Sequence, residues 1–214
     1  MTQEESIVYI VDDDKRVCEA LEELMAASGL EAAAFNSVGE YLAYTRQDRP
    51  SCLILDVHLP DINGLEFQKQ IGSTHPPIIF ITGYGDIPSS VGAIKRGAVD
   101  FLTKPFSDVE LMNSIRTAID RDREARIERA ELTTLQDHFG SLTLREREVL
   151  GLVVSGLLNK QAAAQLGISE VTLQIHRSRI MHKMEAASLA DLVRIAEKLQ
   201  IPISHSRRGG TSSK

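Results

Sequence analysis

Residues 52–66 read CLILDVHLPDINGLE. An unbroken apolar run, Cys52–Leu55, leads into Asp56 and then into a turn rich in Pro, Asp, Asn and Gly. So short an apolar run, closed by turn residues, is the pattern of a strand buried on both faces. Working outward, Ile7–Val11, Glu31–Phe35, Ile78–Thr82 and Val99–Thr103 also read as short strands. Helical patterns fill 15–28, 37–45, 64–72, 88–96 and 107–122; Leu21, Leu24 and Met25 recur at helical spacing in the first. Five βα units in about 120 residues predict a doubly wound parallel α/β sheet.

The chain has 214 residues, 43% hydrophobic and 25% charged, which is ordinary for a water-soluble globular protein. Its longest apolar runs, Cys52–Leu55 and Ile78–Ile81, are far too short to span a bilayer. Met1–Ser6 is polar and acidic, unlike a signal peptide. Cys18 and Cys52 stand in no zinc-type or CxxC spacing, so buried reduced thiols and a cytoplasmic location are expected. Charge divides the chain. Residues 1–119 carry 18 acids and 9 bases, residues 120–140 carry 6 and 4, and residues 141–214 carry 6 and 11. An acidic front joined to a basic back predicts two domains with different partners, the second a polyanion.

In the first domain the polar residues gather at strand ends. Asp12 and Asp13 end the first strand, Asp56 the third and Thr82 the fourth, and Lys104 follows the fifth. Ligands of such sheets bind outside the carboxyl ends of the strands, at the switch point in strand order. Three carboxylates, a hydroxyl and an ammonium are therefore expected in one crevice. Oxygen-only ligands and crowded negative charge suit a hard divalent ion, Mg2+ or Mn2+. A single Asp after a strand is ordinarily a turn or capping residue, and Asp14 is read that way. The set of five is not.

The segments VYIVDDD (8–14), CLILDVHLPDINGLE (52–66), IIFITGYGD (78–86) and GAVDFLTKPF (97–106) resemble the receiver domain of bacterial response regulators. The resemblance implies a flavodoxin-like five-stranded sheet of order 2-1-3-4-5, with Asp56 accepting a phosphoryl group from a sensor histidine kinase. It implies that Asp12, Asp13, Asp56 and the backbone carbonyl of His58 hold the metal. Thr82 would hydrogen-bond the phosphoryl group, Lys104 would pair with it, and Lys104–Pro105 would be cis. His58, its ring on the solvent rim, and Tyr84 would tune the lifetime of the phosphorylated state. Phe101 would be the aromatic switch, moving as Thr82 moves and rearranging the surface from about Pro88 to Lys104 for dimerisation. By its residues alone, Phe101 reads equally well as a core position.

Residues 107–139 read as a long charged helix with an apolar stripe at Leu111, Ile115, Ala118 and Ile119. Alternating acids and arginines over 120–131 suit a solvated helix, either an extension of the last receiver helix or half of a dimer coil.

From Leu142 the pattern is purely helical. Thr143 with Glu146 makes a capping box for a helix through about Val154, which Gly156 ends. Asn159 is read as the cap of a second helix ending at Gly167, Ser169 as the cap of a third, and Ser188 with Asp191 as a box opening a fourth through Leu199. A short helix, a tight turn and a longer helix make a helix-turn-helix. On the third helix Leu173, Ile180 and Met184 share a core stripe, and Gln174, Ile175, Ser178, Arg179 and His182 lie opposite. Amides can read base edges and an apolar side chain can meet a thymine methyl; taken alone, this face reads as an ordinary solvated one. Lys160, Thr172, Arg177, Arg179 and Lys183 suit phosphates.

LTLREREVL (142–150) and GLLNKQAAAQLGISEVTLQIHRSRIMHKM (156–184) resemble the four-helix DNA-binding domain of the LuxR/NarL/FixJ class. The resemblance implies that Gln174, Ile175 and Ser178 occupy base-facing positions; many relatives carry lysine where this chain has Gln174 and Ser178, so their site sequence does not transfer. The resemblance implies that Leu189, Leu192, Val193 and Ala196 form a dimer contact on DNA. The expected organisation is a receiver domain at 1–122, a helical linker at 123–140, the DNA-binding domain at 141–201 and a disordered tail at 202–214. The TGYGD segment leans toward the FixJ-like branch, which implies a promoter-activating regulator that meets double-stranded DNA and RNA polymerase and dimerises when phosphorylated. A haloacid dehalogenase-type hydrolase needs a second Asp where this chain has His58, and no Gly-x4-Gly-Lys phosphate loop is present. The expectation is therefore a regulator whose only chemistry is its own phosphorylation and dephosphorylation. A regulator acting without phosphorylation fits poorly with all five strand-end positions being present.

Overall fold

The structure, a computed structural model, describes residues 6–72, 75–83 and 87–202. It divides into two compact units, 1–127 and 128–214. The first is a five-stranded parallel sheet of order β2-β1-β3-β4-β5. Its strands are β1 (Ile7–Val11), β2 (Glu31–Phe35), β3 (Ser51–Asp56), β4 (Ile78–Thr82) and β5 (Asp100–Thr103). The helices between them are α1 (Lys15–Ala27), α2 (Val38–Ala43), α3 (Gly64–Gln70) and α4 (Ile87–Lys95), with α5 (Asp108–Gly140) after β5.

Every residue of β1, β3 and β4 is buried, whereas the edge strands β2 and β5 are only half-buried. Alternate residues serve opposite faces, as a strand requires. Tyr9, Leu53, Leu55 and Phe80 pack with Val38, Tyr41, Phe67 and Ala93 on one side. Val8, Ile10, Ile54, Ile79 and Ile81 pack with Cys18, Leu21 and Met25 of α1 and with Leu111, Ile115 and Ala118 of α5 on the other. Each such buried aliphatic side chain contributes roughly 1.5–3 kcal/mol, and together they fix where the strands end. Cys18 and Cys52 are buried free thiols whose proton affinity burial pushes up.

The charged stretch expected over 107–139 forms one helix, α5, which runs 33 residues without a break. Past its apolar stripe, buried Asp122 accepts a hydrogen bond from the backbone N–H of Ser51 at 2.9 Å and pairs with Arg126 Nε at 2.8 Å. This joins the helix to the start of β3. Phe139, near its C-terminus, packs against the core of the second unit.

That unit holds α6 (Leu144–Val154), α7 (Asn159–Leu166), α8 (Glu170–Lys183) and α9 (Leu189–Lys198). Thr143 and Glu146 form the expected capping box, and Ser169 and Ser188 cap α8 and α9. Gly167 ends α7 at φ 65°, a left-handed conformation that makes the tight turn into α8. The expectation for Asn159 is corrected. Leu158 is the N-cap of α7, its N–H is satisfied by the Gln161 carboxamide at 3.0 Å, and the Asn159 side chain reaches α8 instead.

Leu142, Val149, Leu150, Leu173, Ile180 and Met184 build the core, together with Leu192 and Ala196 of α9. The dimer reading of the last two is therefore corrected: each is 1% exposed and turned into its own unit, out of a partner's reach. Lys183 Nζ donates to Glu146 Oε2 at 2.7 Å and to the Ser141 carbonyl at 3.1 Å, so its charge also supports the fold.

Lys183 beside it holds the Glu146 carboxyl down at about 2, with the Thr143 N–H assisting against the cost of burial. A folded-state value below the ordinary 4.5 stabilises the fold above that pH, and the contribution drains away as pH falls toward 2. We expect Glu146→Gln to cost about 2 kcal/mol at neutral pH, after allowing for the part-exposed lysine. It should also flatten the acid limb of stability. Amide hydrogen exchange in α6 and α8, measured from pH 7 to pH 3, reads both effects; an unchanged acid limb would refute the assignment.

Candidate functional site

Val11 of β1 pairs in register with Leu55 of β3, so Asp12 and Asp56 leave adjacent strands side by side. Thr82 leaves β4 on the far side of β3, and Lys104 follows β5. The cis peptide bond expected at Lys104–Pro105 is present. Lys104 Nζ donates to Asp12 Oδ2 at 2.6 Å and to Asp56 Oδ1 at 2.9 Å, bridging the two carboxylates. The remaining oxygens are also engaged. The Asp14 N–H donates to Asp12 Oδ1 at 2.9 Å, and the His58 N–H donates to Asp56 Oδ2 at 2.6 Å.

Asp12 is 1% exposed and Asp56 5%. Burial lifts the Asp12 carboxyl above the usual carboxylate range, although the Lys104 ammonium and the Asp14 N–H pull the other way. For Lys104 burial disfavours the charge, but its bonds to Asp12 and Asp56 outweigh that and hold its pKa above the ordinary lysine value. Lys104 is thus a fixed cation between Asp12 and Asp56, while Asp13, next in the chain, is exposed.

The loop after β3 brings in the other groups. Asn63 caps α3 by accepting from the Leu65 N–H at 2.9 Å, and the Gly64 N–H donates to the Val57 carbonyl at 2.9 Å. A Cβ on Gly64 would lie 2.5 Å from the Asp56 carbonyl oxygen, so only glycine lets α3 start this close to the acceptor strand. Gly64 was missed as a site residue; the Asn-Gly pair marks a turn, but its backbone approach to Asp56 depends on the tertiary fold. Asp14 is the helix cap that its sequence suggested. His58 is exposed, with its ring Nδ1 3.3 Å from Thr82 Oγ1. Phe101 is half-buried, its ring 5.9 Å from that of Phe80. Tyr84 lies outside the described residues.

Among the described residues, no three His, Cys, Asp or Glu side chains stand close enough to hold a metal ion as they are. The donor chemistry nonetheless fits one: two buried carboxylates, Asp12 and Asp56, share one ammonium, leaving an excess of negative charge and only oxygen ligands. Receiver domains generally bind Mg2+ at such acidic residues.

In the second unit, Leu173, Ile180 and Met184 face the core. Gln174, Ile175, Ser178, Arg179 and His182 are exposed, Ile175 by 49%. Lys160 at the start of α7 is exposed, while Thr172 and Arg177 are half-buried. Leu189 is exposed and Val193 half-buried.

Residues 8–116 match the response regulator receiver domain, and residues 140–196 match the luxR family of bacterial regulatory proteins. Nodulation protein W of Bradyrhizobium diazoefficiens is 46% identical over 205 residues, covering 95% of this chain and 90% of that protein. Response regulator StyR, in a low-resolution structure, is 42% identical with a TM-score of 0.78, over 91% of this chain and 99% of that one. Full-length FixJ from B. japonicum is 34% identical with a TM-score of 0.54, over 94% and 100%.

The close approach at Gly64 has a direct consequence. Gly64→Ala should destabilise the first unit by about 1–3 kcal/mol. It should also slow phosphorylation of Asp56 at least about tenfold by shifting the acceptor backbone. Thermal unfolding and labelling from a small phosphodonor measure the two; a variant that labels at the normal rate would show that the α3 approach does not position Asp56.

Proposed function

Because this chain belongs to the response regulators that join a receiver domain to a LuxR-type DNA-binding domain, we propose that Asp56 accepts a phosphoryl group from a sensor histidine kinase and that this controls promoter binding. The observation that carries the reading is the bridge from Lys104 to Asp56 and Asp12 at the carboxyl ends of β3 and β1. An Asp56 carboxylate oxygen attacks the phosphorus of the kinase phosphohistidine; the O–P bond forms, the P–N bond breaks and the imidazole departs. Transfer requires Asp56 to exchange its bond to Lys104, whose ammonium then neutralises an oxygen of the arriving group. Asp12, Asp13, Asp56 and the His58 carbonyl would hold Mg2+, which supplies further charge neutralisation when bound.

Thr82 Oγ1, now beside the His58 ring, is the hydroxyl that turns to the phosphoryl group, and Phe101 follows into the space it leaves. His58 and Tyr84 at the rim tune how long the acyl phosphate lasts before water cleaves it. The surface that changes runs from about Pro88 to Lys104, where Val91 and Ile94 of α4 stand exposed. Apolar side chains left in water on one face support dimerisation there. The dimerised protein binds double-stranded promoter DNA in the cytoplasm through α8 and activates transcription by meeting RNA polymerase. Gln174, Ile175 and Ser178 read bases, while Lys160, Thr172, Arg177 and Arg179 engage phosphates.

Asp56→Asn should abolish labelling by a small phosphodonor, and removing divalent ions with a chelator should suppress labelling of the wild type. A labelled Asp56→Asn protein would move the acceptor elsewhere. On DNA, Arg179→Ala should weaken binding to all sequences alike and lower the salt slope by about 1, whereas Gln174→Ala should change the preferred base at one position. Titration against two salt concentrations separates these outcomes, and a sequence-specific loss for Arg179→Ala would reverse its role.

A further inference from the structure

Asn159 opens α7, and its side chain is shared between two residues of α8. Arg177 Nη1 donates to Asn159 Oδ1 at 2.6 Å, and Asn159 Nδ2 donates to Gln174 Oε1 at 3.0 Å. The oxygen and nitrogen ends of an amide are near twins in shape, so their assignment must come from their partners. Here the partners leave no choice. A guanidinium has five N–H donors and no acceptor, so the end of Asn159 that meets Arg177 is oxygen. The nitrogen of Asn159 must then meet Gln174, and the end of Gln174 that receives it must be oxygen. A donor-only cation sets the sense of two amides in series. What the exposed Gln174 keeps for an outside partner is its NH2 and one lone pair of an oxygen already turned toward Asn159.

We propose that Asn159 is a positioning residue that draws the Gln174 oxygen toward α7 and leaves its NH2 as the leading group for DNA, favouring guanine. This rests on the reading of α8 as the base-facing helix. In the major groove guanine offers two neighbouring acceptors, O6 and N7; adenine pairs its N7 with an amino donor, thymine has one acceptor oxygen, and cytosine presents a donor. The bidentate glutamine–adenine pair needs oxygen and nitrogen aimed together at one base, and Asn159 takes one of that oxygen's two lone pairs and turns it toward α7. Asn159 is invisible in this role from its own helix, because both partners lie more than a dozen residues away on α8.

The test is selection of DNA sites from random sequence by the phosphorylated full-length protein, followed by affinities for the selected site and its single-base variants. Gln174→Ala identifies the position that Gln174 reads, and the wild type should hold guanine there. Asn159→Ala frees the glutamine to turn, so the preference for guanine over adenine should fall about tenfold. Asn159→Asp is the stronger variant. Its carboxylate still accepts from Arg177 but has no donor, so Gln174 must turn its NH2 toward it and its carbonyl outward. The preference should then move from guanine to cytosine, whose amino group donates. A merely structural role for Asn159 would lower affinity for every sequence and leave the preferred base unchanged, and that result would overturn the proposal. So would a position that depends on Gln174 but is not guanine in the wild type. If Gln174→Ala instead selects the same sequence as the wild type, the base-facing reading of Gln174 itself fails.

Discussion

Two almost fully buried carboxylates stand side by side where β1 and β3 end, and the first unit is organised around what that costs. Like charges in a medium of low polarisability repel strongly unless a cation is fixed between them. Lys104 is that cation, delivered from the loop after β5 across the carboxyl edge of the sheet. The apolar runs of β1, β3 and β4 make this possible by leaving the strands no freedom to slide. A one-residue slip would turn every core side chain to the wrong face. The packed sheet therefore holds the acids together, and the acids require a cation. A phosphoryl group with a divalent ion is a larger charge set that the same place can accept.

The strands and the polar residues gathered at their carboxyl ends were legible because both depend on local pattern: short apolar runs bounded by turns, with polar residues at their ends. Helices α6, α8 and α9 were legible for a similar reason, since caps such as Thr143–Glu146 and Ser169 lie within four residues of what they cap. What local pattern does not show is long-range partnership. Lys183 looks like any cation on a helix until Glu146, 37 residues earlier, comes to meet it. Leu192 and Ala196 form an apolar stripe, and a stripe has the same period whether it faces its own core or a partner. In a unit of four short helices the core needs every such stripe, and it takes these two. Asn159 reads as a helix cap by type, but Leu158 holds that place and the amide is used across the turn.

The connector illustrates how one helix changes its means of support along its length. Over Leu111–Ile119 α5 is held by burial against the sheet. Asp122 is the transition, a buried carboxylate tied to the β3 backbone and to Arg126 one turn on. From Arg123 until Phe139 meets the core of the second unit, apolar residues are too few to form a stripe, and side-chain pairing and intrinsic helix propensity maintain the helix. That is why its sequence was legible as helix but not as packed or unpacked. Periodicity reports burial, and here burial stops while the helix does not.

Both functional regions use a donor-only cation to give direction to acceptors. At the acceptor edge Lys104 draws one oxygen from each of Asp12 and Asp56, while the backbone N–H groups of Asp14 and His58 take the others. Carboxylates have two equivalent oxygens, so this arrangement can be exchanged: a competing charge set can take over the lysine without reversing any group. In the helix-turn-helix, Arg177 acts on amides, whose two ends differ, and fixes them in one sense. Reversing one amide there would put oxygen against oxygen or nitrogen against nitrogen, an unsatisfied pair costing about 1–3 kcal/mol. The chemistry of the acceptor thus separates the two sites. Symmetric acceptors suit a site that must change state, and asymmetric acceptors suit one that must hold a single reading of its partner.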